Sequence, residues 1–373
     1  MLTKIDDQKG FVYQGNVGRV QKVFQKASEG KTITVAFIGG SITQGCHATE
    51  SEKCYAALVR DWFVREFKGC QINYVNAGIG GTTSQYGAAR VQEDVLSGQP
   101  DLVFVEFSVN DEVYSPAEET LFLETYEGLI RQTLKAPSQP AVVLIHNFYY
   151  GKGISTEDLH RRIGMHYALP SISMRETLWE AVRIGELTVE DITTDGLHPN
   201  NAGHAMIAEQ IVNVLVAMRG MEAQAEGSLP APITPNTYEC CKRFQNDTIE
   251  PALQGFTKDL RPKENYLDIF SKGWEGTKVG DTISFACYGS GIGLQYRKTP
   301  KKPAPVAKVI LDGKEESAVI LDANFDEDWG DSLELETILF HGEEREHTIT
   351  VTITDATEQD VSSFYLVAVL LNQ

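Results

Sequence analysis

The chain has 373 residues, enough for two domains that each bury a core of their own. Its apolar (42%) and charged (23%) fractions are those of a soluble globular protein and exclude disordered, collagen-like and coiled-coil architectures. The formal net charge of −19 repels nucleic acid phosphates and anionic lipid headgroups, so no nucleic acid or membrane partner is expected and a neutral small molecule or glycan is the easier substrate.

No apolar run reaches the length of a membrane-spanning helix, and the opening Met1-Leu2-Thr3-Lys4-Ile5-Asp6-Asp7 has no hydrophobic signal core, which predicts a cytoplasmic protein. The six cysteines, Cys46, Cys54, Cys70, Cys240, Cys241 and Cys287, show no C-x-x-C spacing, and most of them read as free, small core residues. Cys46 stands close to Ser41, but Ser41 has the better setting for a nucleophile.

In chain order, Ile33 to Ile38 is the first predicted strand, β-rich and uninterrupted as a fully buried parallel strand should be. Gly39-Gly40 lets the chain turn sharply past its carboxyl end, which leaves Ser41 at the edge where open α/β sheets place their ligands. Cys54 to Phe67 follows as a helix, with Tyr55, Leu58, Val59, Trp62 and Phe63 at helical spacing. Further strands are predicted at Ile72 to Asn76, Leu102 to Phe107 and Val142 to Asn147, and further helices at Pro116 to Leu134 and Thr156 to Tyr167. Asn200 to Arg219 closes the unit as a helix capped by Asn200 or Asn201. Such alternation is the signature of a parallel sheet with helices on both faces.

Met221 to Pro235 turns to Ala, Glu, Gly, Ser and Pro, the composition of a linker. The expected division is a first domain over 1–225, a linker over 226–235 and a second domain over 236–373. Short β-rich runs follow: Thr282 to Tyr288, Ile292 to Tyr296, Val306 to Leu311, Ser317 to Leu321, Leu333 to Phe340, His347 to Thr354 and Phe364 to Leu371. Asp312-Gly313 is a hairpin signal between two of them. With no comparable helical pattern, this half reads as an antiparallel, jelly-roll-like β-sandwich.

A serine hydroxyl needs a base to take its proton and a group to hold that base in the right tautomer. Asp195 and His198, three positions apart on a loop with Gly196 and Pro199, can supply both. Oxyanion stabilisation needs N–H donors, and two segments suit it. Asn76-Ala77-Gly78-Ile79-Gly80-Gly81-Thr82-Thr83 is a glycine-rich loop after the second strand. Phe107-Ser108-Val109-Asn110-Asp111 ends the third strand with a side-chain amide at the same sheet edge.

The segments around Ser41, Asn76 to Thr83, Phe107 to Asp111 and Asp195 to His198, in this order, resemble the four blocks of the SGNH (GDSL-type) hydrolase superfamily over residues of about 30 to 205. The resemblance implies a flavodoxin-like three-layer α/β/α domain with Ser41 as nucleophile, His198 as general base and Asp195 orienting the histidine. It further implies an oxyanion hole of the Ser41 and Gly81 N–H groups and the Asn110 amide, with no cofactor and no metal. In two places the chain departs from the usual blocks. Gly39-Gly40-Ser41 stands where Gly-Asp-Ser is commoner, and Ser108 stands where glycine commonly precedes x-Asn-Asp.

Rival motifs fail at named positions. A P-loop needs lysine and then Ser or Thr after Gly45, where Cys46 and His47 stand. A dinucleotide fingerprint from Gly78 fails at Thr83, and an α/β-hydrolase elbow fails at Thr43. The acidic loop Asp322 to Asp328 begins like an EF-hand but has Glu327 and Leu333 at the required glycine and glutamate positions, which leaves only a looser calcium site there.

A sandwich domain after an SGNH domain is similar to the layout of bacterial carbohydrate acetylesterases, which implies an acetylated mannan or xylan oligosaccharide as substrate. The alternatives are an esterase or thioesterase for another small ester, such as a lysophospholipid or acyl-CoA, and a glycan-binding protein whose hydrolase domain has decayed. Trp329, and more weakly Trp274, are candidates to stack on a sugar ring. His146 and Tyr149 follow the fourth strand and are candidate substrate contacts. Glu106, a charge in an apolar strand, needs a hydrogen-bonding partner and reads as structural.

Overall fold

The computed structural model describes residues 9–225, 227–265 and 267–372, so the N-terminal reading at Met1 to Asp7 lies outside the described residues. The chain divides between Asn236 and Thr237 into two compact units.

The first unit is a three-layer α/β/α fold. Its strands are β1 Phe11–Tyr13, β2 Ile33–Gly39, β3 Ile72–Gly78, β4 Leu102–Glu106, β5 Ala141–His146 and β6 Ser171–Ser173. They lie in the order β1-β6-β5-β4-β2-β3, all pairs parallel except β1 with β6. From β2 the chain goes to β3 on one side and β4 on the other, so the strand order reverses at the end of β2. Ligands bind at such a switch point.

The helices are α1 Gly18–Ser28, α2 Ser41–Gln44, α3 Tyr55–Glu66, α4 Ser84–Asp94, α5 Pro116–Lys135, α6 Glu157–His166, α7 Glu180–Arg183, α8 Val189–Ile192 and α9 Asn201–Met218. α1, α3 and α9 pack on one face, where Val20, Phe24, Phe63, Ile207 and Ile211 join Val35, Phe37, Phe104 and Val143 of the sheet in one core. Phe37 stacks on Phe104 at 4.7 Å and takes the edge of Tyr55 at 5.9 Å, which ties the strand that leads to Ser41 to its neighbours. α4, α5 and α6 lie against one another on the other face. Asn200 caps α9, its side chain accepting from Gly203 N at 2.9 Å.

Sequence patterning does not mark β1, β6 or α4, whereas α1 does carry a helical stripe, Val20, Val23, Phe24 and Ala27, that the expected elements leave out. The two strands have three residues each, too short for a period, and eight residues of α4 are buried, which removes the polar stripe that betrays a surface helix. Residues 227–235 have the linker's lack of regular structure, yet they are fastened to the first unit. Glu127 accepts from Ile233 N at 2.9 Å and Thr234 N at 2.8 Å, and Arg131 donates to Pro230 O at 2.7 Å.

The second unit is built of two antiparallel sheets around one core. Its strands are β7 Cys241–Phe244, β8 Ala252–Gln254, β9 Thr257–Lys258, β10 Trp274–Gly276, β11 Thr282–Gly289, β12 Gly291–Lys298, β13 Val306–Leu311, β14 Val319–Asp322, β15 Ser332–Leu339, β16 Arg345–Asp355 and β17 Phe364–Asn372. One sheet runs β15-β12-β17-β10-β9 with β7 also on β17, and the other β14-β13-β16-β11-β8. Alternation places Ile283, Phe285, Ile349, Val351 and Ile353 inside. β13 and β14 pair as the hairpin that Asp312-Gly313 signals, both residues at positive φ. β8 and β9 carry mostly exposed residues and give no apolar alternation to read.

Candidate active site

Glycine makes the position of Ser41 possible. β2 is buried along its whole length and ends at Gly39, and Gly40 then turns the chain into α2, whose first residue is Ser41. A Cβ on Gly40 would stand 2.2 Å from Asn110 Oδ1, so glycine here lets the amide come beside the serine. This gives the departure from Gly-Asp-Ser a physical meaning: the space a side chain would take is occupied by Asn110.

Ser41, His198 and Asp195 form a continuous hydrogen-bonded line. Ser41 Oγ lies 2.9 Å from His198 Nε2, and His198 Nδ1 lies 2.6 Å from Asp195 Oδ2. The other carboxylate oxygen, Oδ1, accepts from His198 N at 2.7 Å and Leu197 N at 2.9 Å, so the acid is held by the loop it belongs to. Gly196 sits at φ 84, and its N–H bonds Thr193 Oγ1 at 3.0 Å. Partial burial pushes the Asp195 carboxyl up, but its bonds from His198 and Leu197 outweigh that and hold it below the ordinary carboxylate range. Cys46 has the opposite setting: burial first, then the Asp195 charge, raises its thiol, which leaves it a poor nucleophile.

The glycine loop after β3 is clamped onto α2. Asn76 Nδ2 donates to Thr43 O at 2.8 Å, Asn76 Oδ1 accepts from Gly78 N at 3.0 Å, and Gly80 N donates to Gln44 Oε1 at 2.6 Å. Gly81 follows at φ 69, in the left-handed region. Neither the Ser41 nor the Gly81 N–H meets an acceptor among the described residues. The Asn110 side chain is likewise uncommitted, its Oδ1 buried without a partner. Both segments reach the serine: a Cβ on Gly80 would lie 3.6 Å from that of Ser41, and the Asn110 amide packs against Gly40.

A buried polar layer supports the third segment. Asp111 accepts from Ser84 N at 2.8 Å, which ties the N-terminus of α4 to this loop, and from His160 Nε2 at 3.0 Å. Ser108 shares its hydroxyl proton between Glu106 Oε1 at 2.9 Å and Asn147 O at 3.1 Å, and its N–H also donates to Glu106 Oε1 at 2.9 Å. Glu106 Oε1 thus has the partners that burial demands, whereas Oε2 is buried without one among the described residues. Burial still pushes its carboxyl up to about 7, against the lowering effect of the Ser108 bonds.

The remaining candidates divide. Tyr149 is half-buried beside the triad loop, in a turn whose Gly151 N donates to Gly196 O at 2.8 Å, and Lys152 Nζ lies 4.8 Å from its ring centre. His146 is fully buried, which corrects its reading as a substrate contact. As the last residue of β5, it turns its ring into the interior, 6.2 Å from His160, instead of out past the sheet edge. Trp274 is also fully buried, its ring edge-on to Phe285 at 5.2 Å in the core of the second unit, so it is no sugar platform. Trp329, in that same unit, is 60% exposed and meets Phe325 edge to face at 5.0 Å. In the acidic loop, Asp322 accepts from Asn324 and Asp326 pairs with Lys302.

The residue that sequence reasoning missed is His47. It appears there only as a position where a P-loop fails. Its ring lies 4.9 Å from that of His198 and its Nε2 lies 3.9 Å from Asp195 Oδ2, across 148 positions of sequence that only the fold closes. A cleft of about 560 Å³ opens beside Ser108 and Val109, lined also by Tyr114, Ile154, Thr156 and Leu159.

Comparison with known proteins agrees with this geometry. The profile of the GDSL-like lipase/acylhydrolase family matches residues 37–206. An acetylxylan esterase of Geobacillus stearothermophilus is 26% identical over 195 residues, which cover 46% of this chain and 89% of that protein. Among solved structures, a two-domain esterase active on acetylated mannans, co-crystallized with mannopentaose, is 43% identical over 100% of this chain and 99% of its own, with a TM-score of 0.95. A second structure of a two-domain esterase active on acetylated mannans is 44% identical, with 99% of each chain covered and a TM-score of 0.95.

Proposed function

The chain belongs to the GDSL-like lipase/acylhydrolase family, and from that premise we propose that it is a serine esterase that removes O-acetyl groups from acetylated manno-oligosaccharides. The observation that carries the chemistry is the line from Ser41 Oγ through His198 to Asp195, at 2.9 and 2.6 Å. The full-length likeness to an esterase active on acetylated mannans favours mannan over xylan, because the acetylxylan esterase matches less than half of the chain.

In this reading Ser41 Oγ attacks the acetyl carbonyl while His198 Nε2 takes its proton, and Asp195 holds the imidazole in the tautomer with Nδ1 protonated. The oxyanion is received by the N–H groups of Ser41 and Gly81 and by the Asn110 amide. His198 then gives the proton to the departing sugar hydroxyl. Water, deprotonated by the same imidazole, releases acetate from Ser41. No metal or cofactor is required by these steps.

Residues 236–373 act in this proposal as a carbohydrate-binding accessory domain, with Trp329 as sugar platform. Its exposed indole, met only at one side by Phe325, supports that role. Tyr149 contacts the substrate beside the triad. Among the described residues no helix is long and apolar enough to cross a membrane. The free thiols of all six cysteines suit a reducing compartment, so we place the reaction in the cytoplasm.

The test is acetate release from acetylated manno-oligosaccharides and xylo-oligosaccharides, with NMR to read which hydroxyl loses its ester, alongside p-nitrophenyl esters of increasing chain length. Acetate from the mannan series with preference for the acetyl ester is expected. Turnover of long acyl esters or acyl-CoA with no acetate from either glycan would overturn the proposal, and glycan binding without any turnover would make the protein a binding module.

A further inference from the structure

Among the described residues, one grouping of three metal-ligating side chains occurs, and it overlaps the triad: His47, Asp195 and His198 each offer a donor atom within 4.8 Å of the others. We propose that these three residues bind a zinc ion and that zinc is a reversible inhibitor of the enzyme. Two imidazoles and a carboxylate with a fourth position open to water is a donor set zinc favours.

The individual groups are already arranged as ligands. Asp195 Oδ1 is occupied by the Leu197 and His198 N–H groups, which leaves Oδ2 to face both rings, 2.6 Å from His198 Nδ1 and 3.9 Å from His47 Nε2. Zinc bonds of about 2.0–2.1 Å in a tetrahedron put ligand atoms roughly 3.3 Å apart. The ion therefore needs His198 to part slightly from Asp195 and His47 to approach. The His47 side chain is 42% exposed and Asp195 39%, so the ion has a path in and the His47 ring has room to move.

His47 is also oriented from behind. Its Nδ1 bonds the Thr194 hydroxyl; with Nδ1 as donor, Nε2 presents its lone pair toward Asp195. The loop that carries it is tied to α9, which follows the acid–base segment, by Thr49 N to Asn201 Oδ1 at 3.0 Å, Asn201 Nδ2 to Thr49 Oγ1 at 3.0 Å, and His204 Nε2 to Cys46 O at 3.2 Å. Within this frame His47 sits at φ 65, a conformation that few non-glycine residues adopt.

Coordination at Nδ1 changes the base. The Nδ1 proton, previously shared with Asp195, moves to Nε2 as the zinc–nitrogen bond forms, so no proton is released. His198 then presents an N–H to Ser41 and has no lone pair with which to take its proton. The metal site stands on the donor geometry alone, whereas the inhibition rests on His198 being the general base.

Two measurements on the full-length protein separate these claims. Chelator-treated enzyme titrated with zinc chloride should lose p-nitrophenyl acetate turnover saturably and regain it with EDTA. In His47→Ala, with rates taken relative to that variant's own zinc-free rate, the half-inhibitory zinc concentration should rise roughly tenfold or more. Calorimetry on Ser41→Ala should still show the zinc isotherm, and adding His47→Ala should remove it. No inhibition of the wild type, or equal inhibition with and without His47, would overturn the proposal; the latter places zinc elsewhere, for instance at the exposed thiol of Cys240. Zinc binding without any esterase turnover would keep the metal site and sink the hydrolase reading. If His47→Ala fails to fold, His47→Gln is judged by the same outcomes.

Discussion

Among the described residues of the first unit, two histidine–carboxylate pairs are hydrogen-bonded, and they differ in almost everything except composition. His198 and Asp195 are 2.6 Å apart with side chains 22% and 39% exposed, whereas His160 and Asp111 are 3.0 Å apart and wholly buried. The exposed pair has a serine hydroxyl on its second nitrogen; the buried one stacks on Tyr126 at 3.7 Å and has nothing on its second nitrogen. A catalytic base must exchange protons with substrate and water, which the buried ring cannot do. The buried pair instead fixes the loop that carries Asn110, through the bonds from Ser84 and His160 to Asp111. In the proposed mechanism, chemistry and positioning are thus divided between two copies of one motif at two depths.

This division predicts opposite mutational signatures. Ser41→Ala or His198→Ala should lower turnover by on the order of 10⁴–10⁶-fold with the unfolding midpoint little changed, because Ser41→Ala removes only a hydroxyl and the His198 side chain is part-exposed. Retained turnover in either, measured on p-nitrophenyl acetate, would break the assignment of the exposed pair. Asn110→Ala should cost roughly a hundred- to a thousandfold in kcat, the usual loss for one oxyanion donor, with folding again nearly intact. Full kcat in that variant would remove Asn110 from the oxyanion hole.

For the buried pair the loss should appear in stability. His160→Ala leaves the Asp111 carboxylate in the interior without its imidazole partner, and removing one member of a buried pair costs roughly 3–5 kcal/mol. Urea denaturation would read it. An unchanged midpoint, or a loss of kcat as deep as that of Ser41→Ala in a fully folded protein, would mean that the two depths are not divided as described.

The exposed pair was legible in the sequence and the buried one was not. Ser41, Asp195 and His198 stand in short local patterns with glycine and proline beside them, and such turns leave a trace in the letters. His160 and His146 stand in an ordinary helix and at the end of an ordinary strand. Whether such a residue faces water or the core depends on which helix covers it, and His146 was misread for that reason. His47 shows the same limit, since its partner Asp195 reaches it only through the fold. In the second unit the seven longer β-rich runs were legible, whereas β7 to β10, with two to four residues each, are too short to carry a period.

Glu106 offers the finest test of the buried layer. Its carboxyl is raised from an ordinary 4.5 to about 7, first by burial and against the opposing bonds from Ser108. The folded protein therefore holds a proton that the unfolded chain has released over the window from about 4.5 to about 7. Stability from this group is fully present below that window and falls as pH rises through it. Glu106→Gln keeps an acceptor for Ser108 but cannot ionise, so its stability relative to wild type should increase across the window and level off above it. Ser108→Ala removes one bond that favours the charged form, and should move the upper edge of the window to higher pH. If the wild type and Glu106→Gln instead run parallel in urea midpoint against pH, the carboxyl beneath the site is not titrating there, and burial has not set its charge.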